Sequence, residues 1–121
     1  MSVSFTSARK NPGAPGVLDI DAAELRSKLD DVHLIDVREP SEFTGELGHI
    51  KGAELIPLQT VPKHCNRLRE LTKTKPVVVI CRSGGRSGKA CEFLCQTGLG
   101  QIYNLKGGML MWNELNFETE K

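Results

Sequence analysis

The chain predicts an α/β domain built on a mainly parallel sheet. Three observations carry this expectation. Short apolar runs alternate with helix-like stretches from Ala22 to Leu115. One of those runs, Val77-Val78-Val79-Ile80, is four β-branched residues in succession. The helix-like stretches open and close on recognisable end signals. A length of 121 residues suits a single domain with a core of moderate size.

Taken in order, residues 1–16 are polar and hold Asn11-Pro12-Gly13-Ala14-Pro15-Gly16, a tail or tied-down arm without periodicity. The folded domain is expected over 17–121. Asp21 is placed to cap a helix over Ala22–Leu29, and Glu24 completes a capping box. His33–Val37 reads as a strand. Pro40 suits the first turn of a short helix to Thr44, which Gly45 and Gly48 end. His49–Gly52 reads as loop and Ala53–Pro57 as a strand. Lys63–Leu71 reads as a helix with Leu68 and Leu71 inward. Val77–Cys81 is a strand, Arg86–Gln96 a helix stopped at Gly98, Gln101–Leu105 a strand and Met109–Leu115 a helix.

The net charge of +1 argues against a bulk nucleic-acid binder. No apolar run approaches the roughly 18 residues that a membrane span requires. The opening Met1–Thr6 has neither the basic head nor the apolar centre of a secretory signal, so the default address is cytoplasmic. There the four cysteines, Cys65, Cys81, Cys91 and Cys95, are expected to be mostly thiols. No cofactor or metal motif is visible. A monomer is the default expectation.

Charge is unevenly spread. Lys73, Lys75, Arg82, Arg86 and Lys89 fall between Leu71 and Cys91, a stretch with no acidic residue. Cys81 lies in that stretch, at the end of a strand, where ligands of parallel sheets bind. Gly84 and Gly85 permit positive φ, so backbone N–H groups can converge on one point. The following helix aims its positive end there, and Arg82 and Arg86 add forked donors suited to oxyanions. Each feature lowers the cost of a negative charge on sulfur. A buried structural thiol needs no such loop. A reactive Cys81 is therefore the expectation, with Arg82, Ser83, Gly84, Gly85, Arg86 and Ser87 forming its anion cradle.

Loop length separates two chemistries. Tyrosine phosphatases place an arginine after the cysteine and five intervening residues. Here Arg86 comes one position early, Ser87 stands at that place and Ile80 precedes the cysteine. The smaller loop suits a single sulfur atom better than a phosphoryl group.

The loop Cys81-Arg82-Ser83-Gly84-Gly85-Arg86-Ser87 resembles that of the rhodanese family of single-domain sulfurtransferases. Asp36-Val37-Arg38-Glu39-Pro40 with Glu42-Phe43, then Gly48-His49-Ile50-Lys51-Gly52-Ala53 with Ile56-Pro57, and finally Leu105-Lys106-Gly107-Gly108 with Trp112, resemble the family's other landmarks in order. The resemblance spans about Asp19 to Leu115. It implies a three-layer sandwich with a central, mainly parallel five-stranded sheet. It also implies a thiosulfate sulfurtransferase working through a cysteine persulfide on Cys81, with cyanide or a thiol as acceptor. The donor would be a small anion, and a protein sulfur acceptor is a further implied partner. A sulfur-carrier or regulatory module acting with a protein partner is the alternative.

Other candidates receive plainer readings. Asp36 and Arg38 are expected to brace the active loop from a neighbouring strand end. Ser83 and Ser87 can donate hydroxyls to the persulfide or cap the helix, and for Ser87 a place at the helix start is the expectation. His49 is read as a structural hydrogen bonder. Cys91 and Cys95, at helical i and i+4, are read as core.

Overall fold

The structure, a computed structural model, describes residues 5–98 and 100–121. The first four residues of the expected tail lie outside the described residues, as does Leu99.

Among the described residues, six strands form one sheet. They are β1 (Arg9–Lys10), β2 (Leu18–Ile20), β3 (His33–Asp36), β4 (Glu54–Leu55), β5 (Val77–Ile80) and β6 (Ile102–Leu105). Their order is β1-β2-β6-β5-β3-β4. The five from β2 to β4 run parallel, as the family resemblance implied. Arg9–Lys10 adds a sixth, antiparallel to β2.

The helices are α1 (Ala22–Ser27), α2 (Pro40–Phe43), α3 (Cys65–Thr72), α4 (Gly85–Gln96) and α5 (Gly108–Glu114). β5 explains the layering. All four of its residues are buried, because a strand interior to a parallel sheet has helices on both faces. Val77 and Val79 pack with Leu68 of α3 and with Cys91 and Leu94 of α4. Val78 and Ile80 point the other way, to Leu25 of α1 and to Met109 and Trp112 of α5. The result is helix, sheet, helix. No helix among the described residues is long and apolar enough to cross a membrane.

Two helices begin differently from the expectation. The Lys63–Leu71 segment is not one α-helix. Leu58–His64 forms 3₁₀ turns and α3 starts only at Cys65. Pro62 lies inside these 3₁₀ turns. At α1, Asp21 does cap, accepting from the Glu24 N–H at 2.8 Å. The reciprocal half of the box is absent. Glu24 turns instead to the arm, accepting from the N–H groups of Thr6 and Ser7 at 2.8 Å each and from the Ser7 hydroxyl at 2.6 Å. Ser7 Oγ in turn accepts from the Asp21 N–H at 3.0 Å. Phe5 is buried edge-on against Tyr103, so the arm is tied down from Phe5 onward.

Behind the Cys81 turn, the first amides of α5 meet the chain leaving β5. Met109 N–H donates to the Cys81 carbonyl and Leu110 N–H to that of Arg82, both at 2.9 Å. Gly108 makes this approach possible. Its φ is +53°, and an added Cβ would lie 2.3 Å from the Cys81 carbonyl oxygen.

Two expectations follow. Gly108→Ala combines a left-handed backbone with a backbone clash and is expected to cost roughly 2–4 kcal/mol in denaturant unfolding. Gly16→Ala, at φ +81° with open space around it, is the control and is expected to cost only about 1 kcal/mol. The second concerns Glu24. Burial raises its pKa, but hydrogen bonds from Lys28, Ser7 and Thr6 outweigh that and hold it at about 2, against an ordinary 4.5. A depressed folded-state pKa stabilises the fold above the unfolded value, and that stability is lost as pH falls through the folded value. The stability gap between the wild type and Glu24→Gln should therefore be full at pH 7 and shrink between about pH 4.5 and 2. Unfolding curves across that range check it.

Candidate active site

The chain leaves β5 at Cys81 and turns sharply through Gly84, whose φ of +105° only glycine adopts readily. Its N–H donates to the Cys81 sulfur at 3.0 Å. Gly85 then opens α4, a 12-residue helix whose positive end lies at that sulfur. The tie between α5 and the Cys81 and Arg82 carbonyls orients the turn. Across planar trans peptides the N–H groups of Arg82 and Ser83 point away from α5. Cys81 is only 1% exposed, so the sulfur lies at the bottom of a closed loop.

Ser87 does not cap the helix as expected. Gly84 is the N-cap residue, without a side-chain cap bond, and Ser87 lies two residues beyond the helix start and is buried. Its hydroxyl lies 3.3 Å from the Cys81 sulfur and is also hydrogen-bonded to Asn104 Oδ1. Asn104 Nδ2 donates to Asp19 Oδ1 at 2.8 Å and to the Gly84 carbonyl at 3.3 Å. Asn11 Nδ2, from the arm, also donates to Asp19 at 2.9 Å. A carboxylate only accepts, so Asp19 orients the Asn104 amide with its oxygen toward Ser87. Asn104 and Asp19 escaped the sequence reading. Their signal was a polar residue inside each of two short apolar strands, Tyr103-Asn104-Leu105 and Leu18-Asp19-Ile20.

The two arginines differ. Arg82 is exposed on the rim, as is Ser83. Arg86 is committed: both terminal nitrogens donate to Glu42 of α2, at 2.7 Å each. That fork holds the Glu42 carboxyl at about 2, and the carboxylate raises Arg86 in return. The sequence marked Glu42 as part of a family landmark but assigned it no partner.

Asp36 and Arg38 form a buried pair at the end of β3, the strand beside β5. Arg38 Nε lies 2.9 Å from Oδ1 and its terminal nitrogen 2.8 Å from Oδ2. Arg38 also donates to the carbonyls of Glu42 at 3.1 Å and Gly48 at 2.7 Å. The pair thus anchors the segment carrying Glu42. His49 Nδ1 sits 2.8 Å from the Phe43 carbonyl, and its ring stacks on Phe43 with centroids 3.7 Å apart. Cys91 is wholly buried, and burial pushes its thiol well up. Among the described residues no group of three His, Cys, Asp or Glu side chains is placed to hold a metal ion.

Chemically, the loop can hold one sulfur atom carrying negative charge, with the Gly84 N–H donating to it. Comparison with known proteins agrees with that geometry. The model of the rhodanese-like domain matches residues 21–115. A sulfurtransferase of Allochromatium vinosum is 39% identical over 99 residues, covering 79% of this chain and 88% of that protein. The thiosulfate sulfurtransferase GlpE of Vibrio cholerae is 28% identical over 103 residues, covering 85% of this chain and 92% of that one. The solved structure of a rhodanese-related protein from Thermoplasma volcanium is 34% identical, with a TM-score of 0.69 over 83% of this chain and 94% of its own. A parallel sheet with a cysteine loop at its rim, matched over nearly the whole folded chain, belongs to the rhodanese-like family, and this protein is a member of it.

Proposed function

We propose that the protein transfers sulfane sulfur from thiosulfate or a similar donor to a thiol or cyanide, through a persulfide on Cys81. One observation carries the reading: the Cys81 sulfur receives the Gly84 N–H and touches the Ser87 hydroxyl at the positive end of α4, shut away from bulk water. Residues 17–121 supply the chemistry as one domain.

In the first step the Cys81 thiolate attacks the outer sulfur of the donor. The donor's S–S bond breaks, sulfite (from thiosulfate) leaves with the bonding pair, and Cys81 keeps the outer sulfur as a persulfide. In the second step the acceptor attacks that terminal sulfur, and the Cys81 thiolate is the leaving group. Cyanide becomes thiocyanate and a thiolate becomes a persulfide. No external base is needed once the thiolate exists. The Gly84 N–H and the positive end of α4 stabilise the sulfur anion. Arg82 meets the donor at the rim. Arg86 contributes charge, and Asp36 and Arg38 position the loop's neighbours without touching the donor.

A second reading draws on α5. Leu110 and Met111 are 37% and 40% exposed beside the loop, an apolar rim that suits a protein partner. In that case Cys81 is a sulfur carrier, and it turns over slowly with every small donor and acceptor.

Two outcomes are expected. Intact-mass measurement after incubation with thiosulfate should show the gain of one sulfur atom, absent in Cys81→Ser. Sulfur uptake by Cys81→Ser would move the site elsewhere. Ser87→Ala should change the rate of Cys81 alkylation by iodoacetamide at neutral pH by less than about threefold, because the single Ser87 proton is committed to Asn104 Oδ1 and the Gly84 N–H at the sulfur is untouched.

A further inference from the structure

Ser87 touches the Cys81 sulfur, yet its single proton is committed elsewhere. The hydroxyl has two neighbours, Cys81 Sγ at 3.3 Å and Asn104 Oδ1, and one hydrogen to give. Asn104 Oδ1 carries no proton and must accept. Its orientation is fixed from behind. Asp19 Oδ1 receives Asn104 Nδ2 at 2.8 Å and Asn11 Nδ2 at 2.9 Å. Turning the Asn104 amide over would set its oxygen against that carboxylate and break its bond to the Gly84 carbonyl. Asn11 is held as well, because its Oδ1 accepts from the Gly13 N–H at 2.8 Å. Asn104 and Ser87 are 1% and 0% exposed, so bulk water does not stand in for either partner.

The hydroxyl therefore presents a lone pair to Sγ rather than a hydrogen. It can accept from a Cys81 thiol and gives nothing to a Cys81 thiolate. Sulfur loading moves charge off that atom. The thiolate attacks the outer sulfur of thiosulfate, the donor's S–S bond breaks, and sulfite leaves with the bonding pair. The negative charge passes from Sγ to the new terminal sulfur. A hydroxyl donating to Sγ would stabilise the unloaded thiolate and oppose this transfer. A hydroxyl that cannot donate leaves it unopposed.

Building on the sulfurtransferase reading above, we infer that Asp19 and Asn104 are positioning residues that withhold the Ser87 proton from Cys81 and thereby favour the sulfur-loaded form of the site. Their influence on the sulfur passes through Ser87.

The test removes the acceptor. Asn104→Leu changes no charge and leaves Sγ as the remaining partner of the Ser87 proton. It is made in the wild-type and Ser87→Ala backgrounds, and two quantities are read. One is the pH profile of Cys81 alkylation by iodoacetamide. The other is the thiosulfate-to-sulfite ratio that half-loads Cys81, read by intact mass at a pH above the alkylation midpoints. Arg82 and Arg86 of the loop, Cys91 of α4, and Asp19 and Asp36 of the flanking strands are the charged or titratable groups around the site, and α5 meets the turn through backbone amides. All of these are the same in the four proteins. Asn104→Leu should lower the alkylation midpoint by about one pH unit and raise the half-loading ratio about tenfold, the effect of one hydrogen bond gained by a charged group. Both changes should vanish when Asn104→Leu is added to Ser87→Ala. A midpoint within about 0.3 pH unit of wild type overturns the inference, as does a shift that persists without Ser87. If Asn104→Leu does not fold, Asp19→Ala takes its place. Two amide nitrogens then face each other, Gly13 holds Asn11, and the Asn104 amide turns over to offer Ser87 a donor. The same Ser87-dependent shift is expected, and its absence overturns the inference equally. If the wild type loads from thiosulfate and neither quantity shifts, only this inference falls. If the alkylation midpoint shifts as expected and thiosulfate loads none of the proteins, the placement of the Ser87 proton stands and the sulfurtransferase reading falls.

Discussion

The site depends on two hydrogen bonds that do not touch it. Met109 and Leu110 hold the carbonyls of Cys81 and Arg82 at 2.9 Å, on the α5 side of the turn. A peptide plane has two ends, so fixing the oxygens fixes the hydrogens. The loop's donors then face away from α5 without help from a ligand. Such preorganisation matters because donors aimed in advance need not reorient as charge develops. It also explains the residue order in this part of the chain. Gly108 lets α5 come close, Gly84 turns the chain into α4, and neither position accepts a Cβ without strain.

A second layer of constraint runs through buried charge. Asp36 and Arg38 are 0% and 1% exposed. Pairs of this kind are weak evidence for stability, because desolvation offsets much of their attraction. Here the geometry gives a different use. Arg38 has five N–H donors, and it uses some of them on the Glu42 and Gly48 carbonyls, tying α2 and the loop after it to the end of β3. Glu42 extends that order to Arg86, so an ion pair in the interior determines where a charge on the rim points.

Local rules made much of this legible. A run of β-branched residues gave the central strand, Pro40 the start of α2, and Asp21 the cap of α1. Gly84 and Gly85 beside two arginines marked Cys81. What escaped were contacts between residues far apart in sequence. Glu42 and Arg86 are 44 positions apart, and Asp19 and Asn104 are 85 apart. Glu24 has the spacing of a capping box, yet its carboxylate is claimed by Thr6 and Ser7 and by Lys28. Ser87 has the composition of a cap and lies instead beneath the sulfur. In each case a side chain has more than one chemically suitable partner, and only the packed fold decides between them.

The two margins of the sheet have a consequence for how the molecule meets its neighbours. Each ends in a strand of two residues, Arg9–Lys10 on one side and Glu54–Leu55 on the other. Arg9 and Lys10 are exposed and cationic, and Glu54 is bound to Arg67. A foreign segment seeking to extend the ladder would find a template barely two rungs long, guarded by charge. Natural sheets use such short, charged borders to discourage strand addition and fibrous stacking. The four parallel strands between them are thereby kept from recruiting other chains.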